Sequence, residues 1–282
     1  MKRKFIDWRE SHPKLVNIYR KHFRVKRDLL ELLLKYGTTN MFININIETI
    51  NVCNYKCVYC PFSIYEREKK YMDIKLFNKI IDDLVDMNYK GTISLHLFCE
   101  PLMDERLPEL YKIIRTKLPK TRLLVITNGS LLTKELFLDL IHNGVNGFFI
   151  SKHTKNKLEN VQEVKKFCRE YHPDISFEYD DFEEEYIFYD RLGIIPNFKG
   201  EPPKNCRSHI DCFSINVNGD AVLCCNDFFA ENPIGDLKKQ TVSEIWFSKQ
   251  YEYYKKSIPA GNLDNPVCKN CKCQVGWKNK SD

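Results

Sequence analysis

The sequence predicts an α/β fold. A parallel sheet with crossover helices closes toward a partial, shortened barrel of the TIM-like β/α kind, preceded by a helix and followed by a small cysteine-rich domain. Three observations carry this. Short β-branched runs alternate with helical periodicities through the first part of the chain, the composition then shifts to Pro, Asn, Gly and Cys, and the cysteines fall into an early and a late group. Strands alternating with helices of this length imply parallel pairing through right-handed crossovers. The expected divisions are 1–38, 39–195 and 196–282.

The elements follow in order. Residues 1–36 hold eleven Lys or Arg against four Asp or Glu, while the rest of the chain holds 33 against 34. Leu15, Ile18, Val25, Leu29, Leu32 and Tyr36 recur there at helical spacing, so the segment reads as a basic amphipathic helix. Such a helix either packs with its basic face in water or touches an anionic surface. The body is nearly neutral, and a nucleic-acid partner is not expected. Met41 to Glu48 (MFININIE) reads as a buried strand, Asp73 to Tyr89 as a helix and Thr92 to Leu97 as the next strand. A helix Glu105 to Leu118, a strand Arg122 to Thr127 and a helix capped by Thr133 come next. A strand Gly147 to Ser151, a helix near Lys157 to Tyr171 and a strand Ile175 to Tyr179 complete the run. Phe182 to Leu192 fits a sixth helix or a strand. Beyond Pro196, Ser214 to Val217 and Ala221 to Cys224 flank an N-G-D hairpin signal, and Val242 to Ser257 reads as a helix.

With 43% apolar and 13% aromatic residues the chain has the side-chain volume for a buried core. No run nears the roughly 18 apolar residues that cross a bilayer. The N-terminus lacks a secretory signal, so a soluble, cytoplasmic protein is expected. In that compartment thiols stay reduced, and twelve cysteines point to metal rather than disulfides. The early group is Cys53, Cys57 and Cys60, in C-N-Y-K-C-V-Y-C; the late group is Cys206, Cys212, Cys224, Cys225, Cys268, Cys271 and Cys273. Cys99 and Cys168 stand apart. Three cysteines leave one position of a cubane cluster open, whereas structural zinc wants four ligands and no fourth Cys or His is near.

The C-x3-C-x-aromatic-C pattern, with Tyr59 at the aromatic position, resembles the signature of the radical S-adenosylmethionine (SAM) enzymes. The resemblance implies a [4Fe–4S] cluster on Cys53, Cys57 and Cys60 whose open iron is chelated by SAM. It also implies that reductive cleavage of SAM yields a 5′-deoxyadenosyl radical that abstracts hydrogen from substrate. The segments at the strand ends are similar to the family's in the same order. L-F-C-E-P-L places Glu100 as the acid that holds the SAM amino group, with Cys99 where the family has glycine. I-T-N-G supplies Thr127 and Asn128, and I-S-K-H places Ser151 near the ribose with Lys152 and His153 toward substrate. The competing reading is a zinc-binding α/β protein with a chance triplet.

The stretch from Gly219 to Cys224, the E-I-W helix and the closing C-x2-C resemble the SPASM or shorter twitch extension of that family. This implies one auxiliary [4Fe–4S] cluster on Cys206, Cys224, Cys268 and Cys271, with Cys212, Cys225 and Cys273 left over. Ligand exchange with Cys212 and a zinc site in place of the cluster remain open alternatives. A shortened barrel with one auxiliary cluster resembles the branch of the family that dehydrogenates or epimerises sugars and aminocyclitols, with a flavodoxin or ferredoxin as reductant. Arg191 is the candidate for binding a substrate oxygen, or else a surface side chain paired with Asp190. His153 is a candidate proton acceptor, Asp227 a further polar candidate and Cys225 a candidate thiol hydrogen donor, each with a purely structural alternative. A maturase of ribosomally made peptides is the second functional expectation, and a non-catalytic electron carrier the third.

Overall fold

The computed structural model describes residues 26–153, 158–181, 187–196, 198–203, 206 and 212–275. The basic segment 1–25 and residues 182–186 lie outside the described residues, so the amphipathic helix is seen only over 26–36. Among the described residues the strands are β1 (Asn44–Ile47), β2 (Thr92–Ser94), β3 (Arg122–Thr127), β4 (Gly147–Lys152), β5 (Ser176–Asp181), β6 (Ile187–Tyr189), β7 (Cys212–Ile215), β8 (Asp220–Val222), β9 (Gly235–Asp236) and β10 (Cys273–Val275). One sheet carries eight of them in the order β5-β4-β3-β2-β1-β7-β8-β9.

From β5 to β1 every pairing is parallel, with the helices Ile74–Asp86, Leu107–Lys117, Lys134–His142 and Glu159–Tyr171 as crossovers. Two of these helices begin at a side-chain cap that the sequence supplies. Asp73 accepts from the amides of Lys75 and Leu76, and Thr133 from that of Leu136, satisfying donors left open in a first turn. Phe77, Ile80, Ile81 and Leu84 then face the sheet at helical spacing.

The fold departs from the expected layout in five places. β2 ends at Ser94 rather than Leu97, and β1 spans four residues rather than eight. The strand in the late segment, β7, pairs parallel with β1 over Asn44–Ile47, and Glu48 N continues the pairing by donating to Ile215 O at 2.9 Å. The expected hairpin therefore extends the main sheet, through antiparallel β8 and β9. The undecided stretch before residue 192 contributes β6, which pairs antiparallel with β10 in a separate two-stranded sheet. Finally, the helix expected over Val242 to Ser257 is two, Val242–Trp246 and Lys249–Ser257. Ser248 breaks the run by capping the second helix, which lets Trp246 and Tyr251 both turn inward with ring centroids 4.8 Å apart.

That inward turn closes the core under the β1–β7 seam. Phe42 packs on Phe213 at 5.4 Å and on the edge of Trp246 at 5.0 Å, and all three are fully buried. Burying aromatics of this size stabilises by several kcal/mol, on the order of 2 each, and here that energy fuses the late segment to the barrel strands. No helix among the described residues is long and apolar enough to cross a membrane.

Candidate active site

The carboxyl ends of the parallel strands open into one cavity, where ligands of such sheets belong. It holds about 840 Å³, counting its mouth. Its lining includes Cys53, Cys57, Tyr59 and Cys60 from the loop after β1, and Glu100 from the turn that follows β2. Thr127 and Asn128 come from the end of β3, Ser151 and His153 from the end of β4, and Arg191 and Cys225 from the late segment.

The cysteine loop is shaped by backbone bonds. Cys60 N donates to Cys57 O at 2.8 Å, and Pro61 opens a tight turn in which Ser63 N returns to Cys60 O at 2.9 Å. Tyr55 N donates to Cys53 Sγ at 3.4 Å. Burial pushes the Cys53 thiol up to about 11 and the Cys57 thiol up to about 12, with the neighbouring cysteines repelling any thiolate further. Bare thiolates are thus disfavoured here, and a bound cationic metal group offsets that penalty. No trio of described His, Cys, Asp or Glu converges on a single ion. Cys53, Cys57 and Cys60 all line the one cavity, and three thiolates suit donors to separate irons of a cluster, since a structural zinc wants four ligands.

Asn128 Nδ2 ties this loop to the β3 turn by donating to Asn54 Oδ1 at 2.9 Å, and Asn54 Nδ2 donates to Ser130 Oγ at 2.8 Å. Tyr59 shares a hydrogen bond with His153 Nδ1, tying the loop to β4 as well. Glu100 is buried, and burial raises its pKa although three donors oppose the rise. Oε1 accepts from the Thr127 hydroxyl and from Leu102 N at 3.1 Å, and Oε2 from Asn128 N at 2.8 Å. A carboxylate has about four acceptor sites, so a cationic ligand group still finds a partner on it.

The late cysteines also gather. Cys268 feels the charge of Cys206; Cys271 feels Cys206 and Cys268; Cys224 feels Cys271 and Cys268. Burial is the main cause of the raised pKa of all three, and Cys271 reaches about 12. Asn226 serves two of these sulfurs, through its amide to Cys224 Sγ at 3.4 Å and its Nδ2 to Cys271 Sγ at 3.7 Å. Cys273 stands beside them on β10, and Cys212 sits on β7 with its thiol near Ser214 Oγ.

Arg191 lies between the two groups. Nη1 donates to Cys225 O at 2.6 Å and to Asn226 Oδ1 at 2.9 Å, while the buried Nε has no hydrogen-bond partner among the described residues. Burial works against its charge, and the nearby sulfurs of Cys225, Cys60 and Cys224 more than offset this, leaving its pKa raised. It is not the surface partner of Asp190, which instead accepts from Leu192 N and Lys272 N. Asp227 does not line the cavity; it is buried behind Cys225 and accepts from Glu231 N at 3.2 Å.

Sequence reasoning missed several lining residues. Phe98 and Phe228 meet edge to face at 5.4 Å beside Cys225, and His96 sits where a strand residue was expected. Glu48, which lies behind the lining, was missed as well, though a buried acid at a strand end is a signal: it accepts from Arg67 Nη1 at 3.0 Å and from Val217 N at 2.9 Å, and Arg67 caps the ring of Phe228, which does line the cavity, at 5.1 Å.

Comparison with known proteins follows the same division. A model of the radical SAM superfamily matches residues 47–179, and one of the SPASM iron–sulfur cluster-binding domain matches 206–272. The S-adenosyl-L-methionine-dependent 2-deoxy-scyllo-inosamine dehydrogenase of Niallia circulans is 26% identical, over 82% of this chain and 93% of its own. The tungsten-containing aldehyde ferredoxin oxidoreductase cofactor-modifying protein of Pyrococcus furiosus is 30% identical over 41% of this chain and 32% of its own. Among solved structures, BtrN in complex with AdoMet and 2-DOIA superposes with a TM-score of 0.72 at 24% identity, covering 82% of this chain and 93% of that one. The fold of anSMEcpe with bound AdoMet and a Cp18Cys peptide is similar at a TM-score of 0.51 and 13% identity, over 75% of this chain and 81% of that one.

Proposed function

Because the chain belongs to the radical SAM superfamily and carries a SPASM domain, we propose that it acts on a carbinol centre of a small polyol, an aminocyclitol or a sugar, by dehydrogenation or epimerisation. The observation that carries this is Arg191, a half-buried cation whose buried Nε–H has no partner among the described residues, held in the cavity between the early and late cysteines. A guanidinium stays charged and suits an oxygen that gains negative character, as a carbinol oxygen does when oxidised. The likeness to a dehydrogenase over most of both chains points the same way.

With a [4Fe–4S] cluster and SAM bound, the cavity is supplied with a carbon-centred radical able to take a hydrogen atom from substrate. Cys53, Cys57 and Cys60 are the proposed ligands of that cluster. Glu100 accepts the ammonium of SAM with Thr127 and Asn128 orienting it, and Ser151 and Tyr59 border the nucleoside. Cys206, Cys224, Cys268 and Cys271 are the proposed ligands of one auxiliary cluster, which gives a dehydrogenase an electron acceptor. Cys225, beside Arg191, is the thiol placed to return a hydrogen atom in an epimerase, while Asp227 supports the loop that carries it. Phe98, Phe228 and Phe62 keep water from the reacting centre. The peptide-bound anSMEcpe shares the fold, but its likeness is confined to the fold.

The chain is proposed to work in the cytoplasm with a flavodoxin or ferredoxin as electron donor. Leu29, Leu30, Leu33 and Leu34 are exposed on the helix 26–36 beside the basic segment, a pattern that suits contact with an anionic surface.

Iron content after anaerobic reconstitution tests the cluster assignment. Wild type is expected to hold about 8 irons and a Cys53, Cys57, Cys60 triple Ala variant about 4. A fall from about 4 to about 0 would remove the auxiliary cluster and with it the dehydrogenase reading. Incubation with 2-deoxy-scyllo-inosamine, SAM and dithionite tests the substrate class through ketone formation. Deuterium uptake from heavy water into recovered polyol identifies epimerisation instead.

A further inference from the structure

Oxidising a secondary carbinol to its ketone removes a hydrogen atom from carbon, a proton from oxygen and one further electron. The hydrogen atom goes to a carbon radical and the electron to an iron–sulfur cluster, the oxidants that the proposed function already names by class. The proton requires a side chain. Arg191 cannot accept it, because a guanidinium does not deprotonate in a protein. Glu100 already accepts from three donors and its remaining acceptor site is assigned to the SAM ammonium, and His153, bonded to Tyr59 at Nδ1, makes a further interaction of its own.

We propose that His96 Nε2 is the acceptor of the substrate hydroxyl proton. His96 follows β2 and lines the same cavity as Arg191. Its Nδ1 meets Ser94 Oγ at 3.1 Å, and Ser94 Oγ in turn donates to Asn46 Oδ1 at 2.8 Å. A serine hydroxyl has one proton, and Asn46 Oδ1 takes it. Ser94 Oγ is therefore the acceptor toward His96, and Nδ1 carries the ring hydrogen. That leaves the lone pair on Nε2, for which no described residue provides a partner. Burial further disfavours the imidazolium, holding the ring neutral with its pKa lowered to about 4. A chain from β1 through β2 thus fixes the tautomer, as second-layer hydrogen bonds commonly do for working histidines. His96 takes the proton as the carbonyl bond forms, and Arg191 stabilises the oxygen that loses it.

The assignment rests on the polyol reading, and the experiment separates the two. Wild type and His96→Gln are compared with 2-deoxy-scyllo-inosamine, SAM and dithionite, following ketone, 5′-deoxyadenosine and the polyol dissociation constant by equilibrium dialysis. Removing a general base lowers ketone formation roughly 10²–10⁴-fold, with 5′-deoxyadenosine still formed. The polyol dissociation constant is expected to stay within about threefold, since the lost interaction belongs to the reaction rather than to binding. In protein labelled with ¹⁵N-histidine, the signal that His96→Gln removes should report Nδ1–H with bare Nε2, and Ser94→Ala should shift it toward Nε2–H. Ketone from wild type and His96→Gln at rates within tenfold of each other overturns the assignment alone, as does a protonated Nε2 in wild type. No ketone from wild type overturns the polyol reading and the assignment together.

Discussion

Asp190 and Lys272 are joined twice: Asp190 N donates to Lys272 O at 3.1 Å, and Lys272 N donates to Asp190 Oδ1 at 3.0 Å. Lys272 separates Cys271 from Cys273, and Asp190 precedes Arg191. The last cysteine loop and the cavity's cation are therefore set by one clasp. Asp190 Oδ1 also receives Leu192 N at 3.2 Å, which supports the positive φ at Arg191 and Leu192. Asp190→Ala removes the acceptor of two part-buried amides, those of Leu192 and Lys272, at a cost of about 1 kcal/mol each. It should lower the melting temperature and release iron from the late cysteines first, whereas Asp190→Asn keeps an acceptor and should lose less. Unchanged iron content in the Ala variant would break the link.

Glu100 unites three elements, taking the Thr127 hydroxyl and the amides of Leu102 and Asn128. Its replacement by Ala should weaken SAM binding about 10- to 100-fold, the loss of one or two charge-assisted hydrogen bonds. Calorimetry on the reconstituted protein reads this directly; affinity equal to wild type would remove Glu100 from the SAM site.

Gly129 has φ +77°, and a Cβ there would stand 2.7 Å from Ile150 Cγ2 and 2.8 Å from Val161 Cγ2. Both neighbours are buried core atoms that cannot retreat. Gly129→Ala is expected to destabilise by about 1–3 kcal/mol and to displace the Asn128 turn. Urea unfolding checks the first effect and SAM affinity the second.

Glu48 is a buried acid whose desolvation raises its pKa to about 7 against the pull of Arg67 and Val217 N. Its folded-state pKa is above the unfolded value, so its contribution to stability is complete below about pH 4.5 and fades as pH rises through about 7. The span corresponds to about 3 kcal/mol. Wild type should lose stability between pH 5 and 8 relative to Glu48→Gln, read as a difference in urea midpoints. Parallel pH profiles for the two proteins would contradict the assignment.

The parts legible in sequence were those written locally. Cys53, Cys57 and Cys60 sit in a short spacing, and Glu100, Asn128 and Ser151 stand at or just past the ends of strands whose apolar runs announce them; all come to one cavity. The β1–β7 pairing joins Asn44 to Cys212, and no local pattern encodes a partner so distant. β2 looked longer because Leu95 and Leu97 continue its alternation, yet pairing stops at Ser94 and frees His96 to line the cavity. The helix break at Ser248 was hidden because its residues favour helix, and packing of Trp246 against Tyr251 overrides that preference.

The pairing of β1 with β7 also bears on how the molecule is made. A nascent chain whose first five strands have emerged from the ribosome holds a sheet with β1 as a bare edge, its hydrogen-bonding groups open to any passing strand. The residues that cover that edge are translated after Tyr189, and the aromatic ring cluster beneath the seam closes only when Trp246 and Tyr251 arrive. The early cysteine loop hangs from that same edge. Translation of the residues beyond Tyr189 thus completes the sheet from which the early cysteines are suspended, and iron loading should follow the emergence of β7 and the ring cluster rather than precede it.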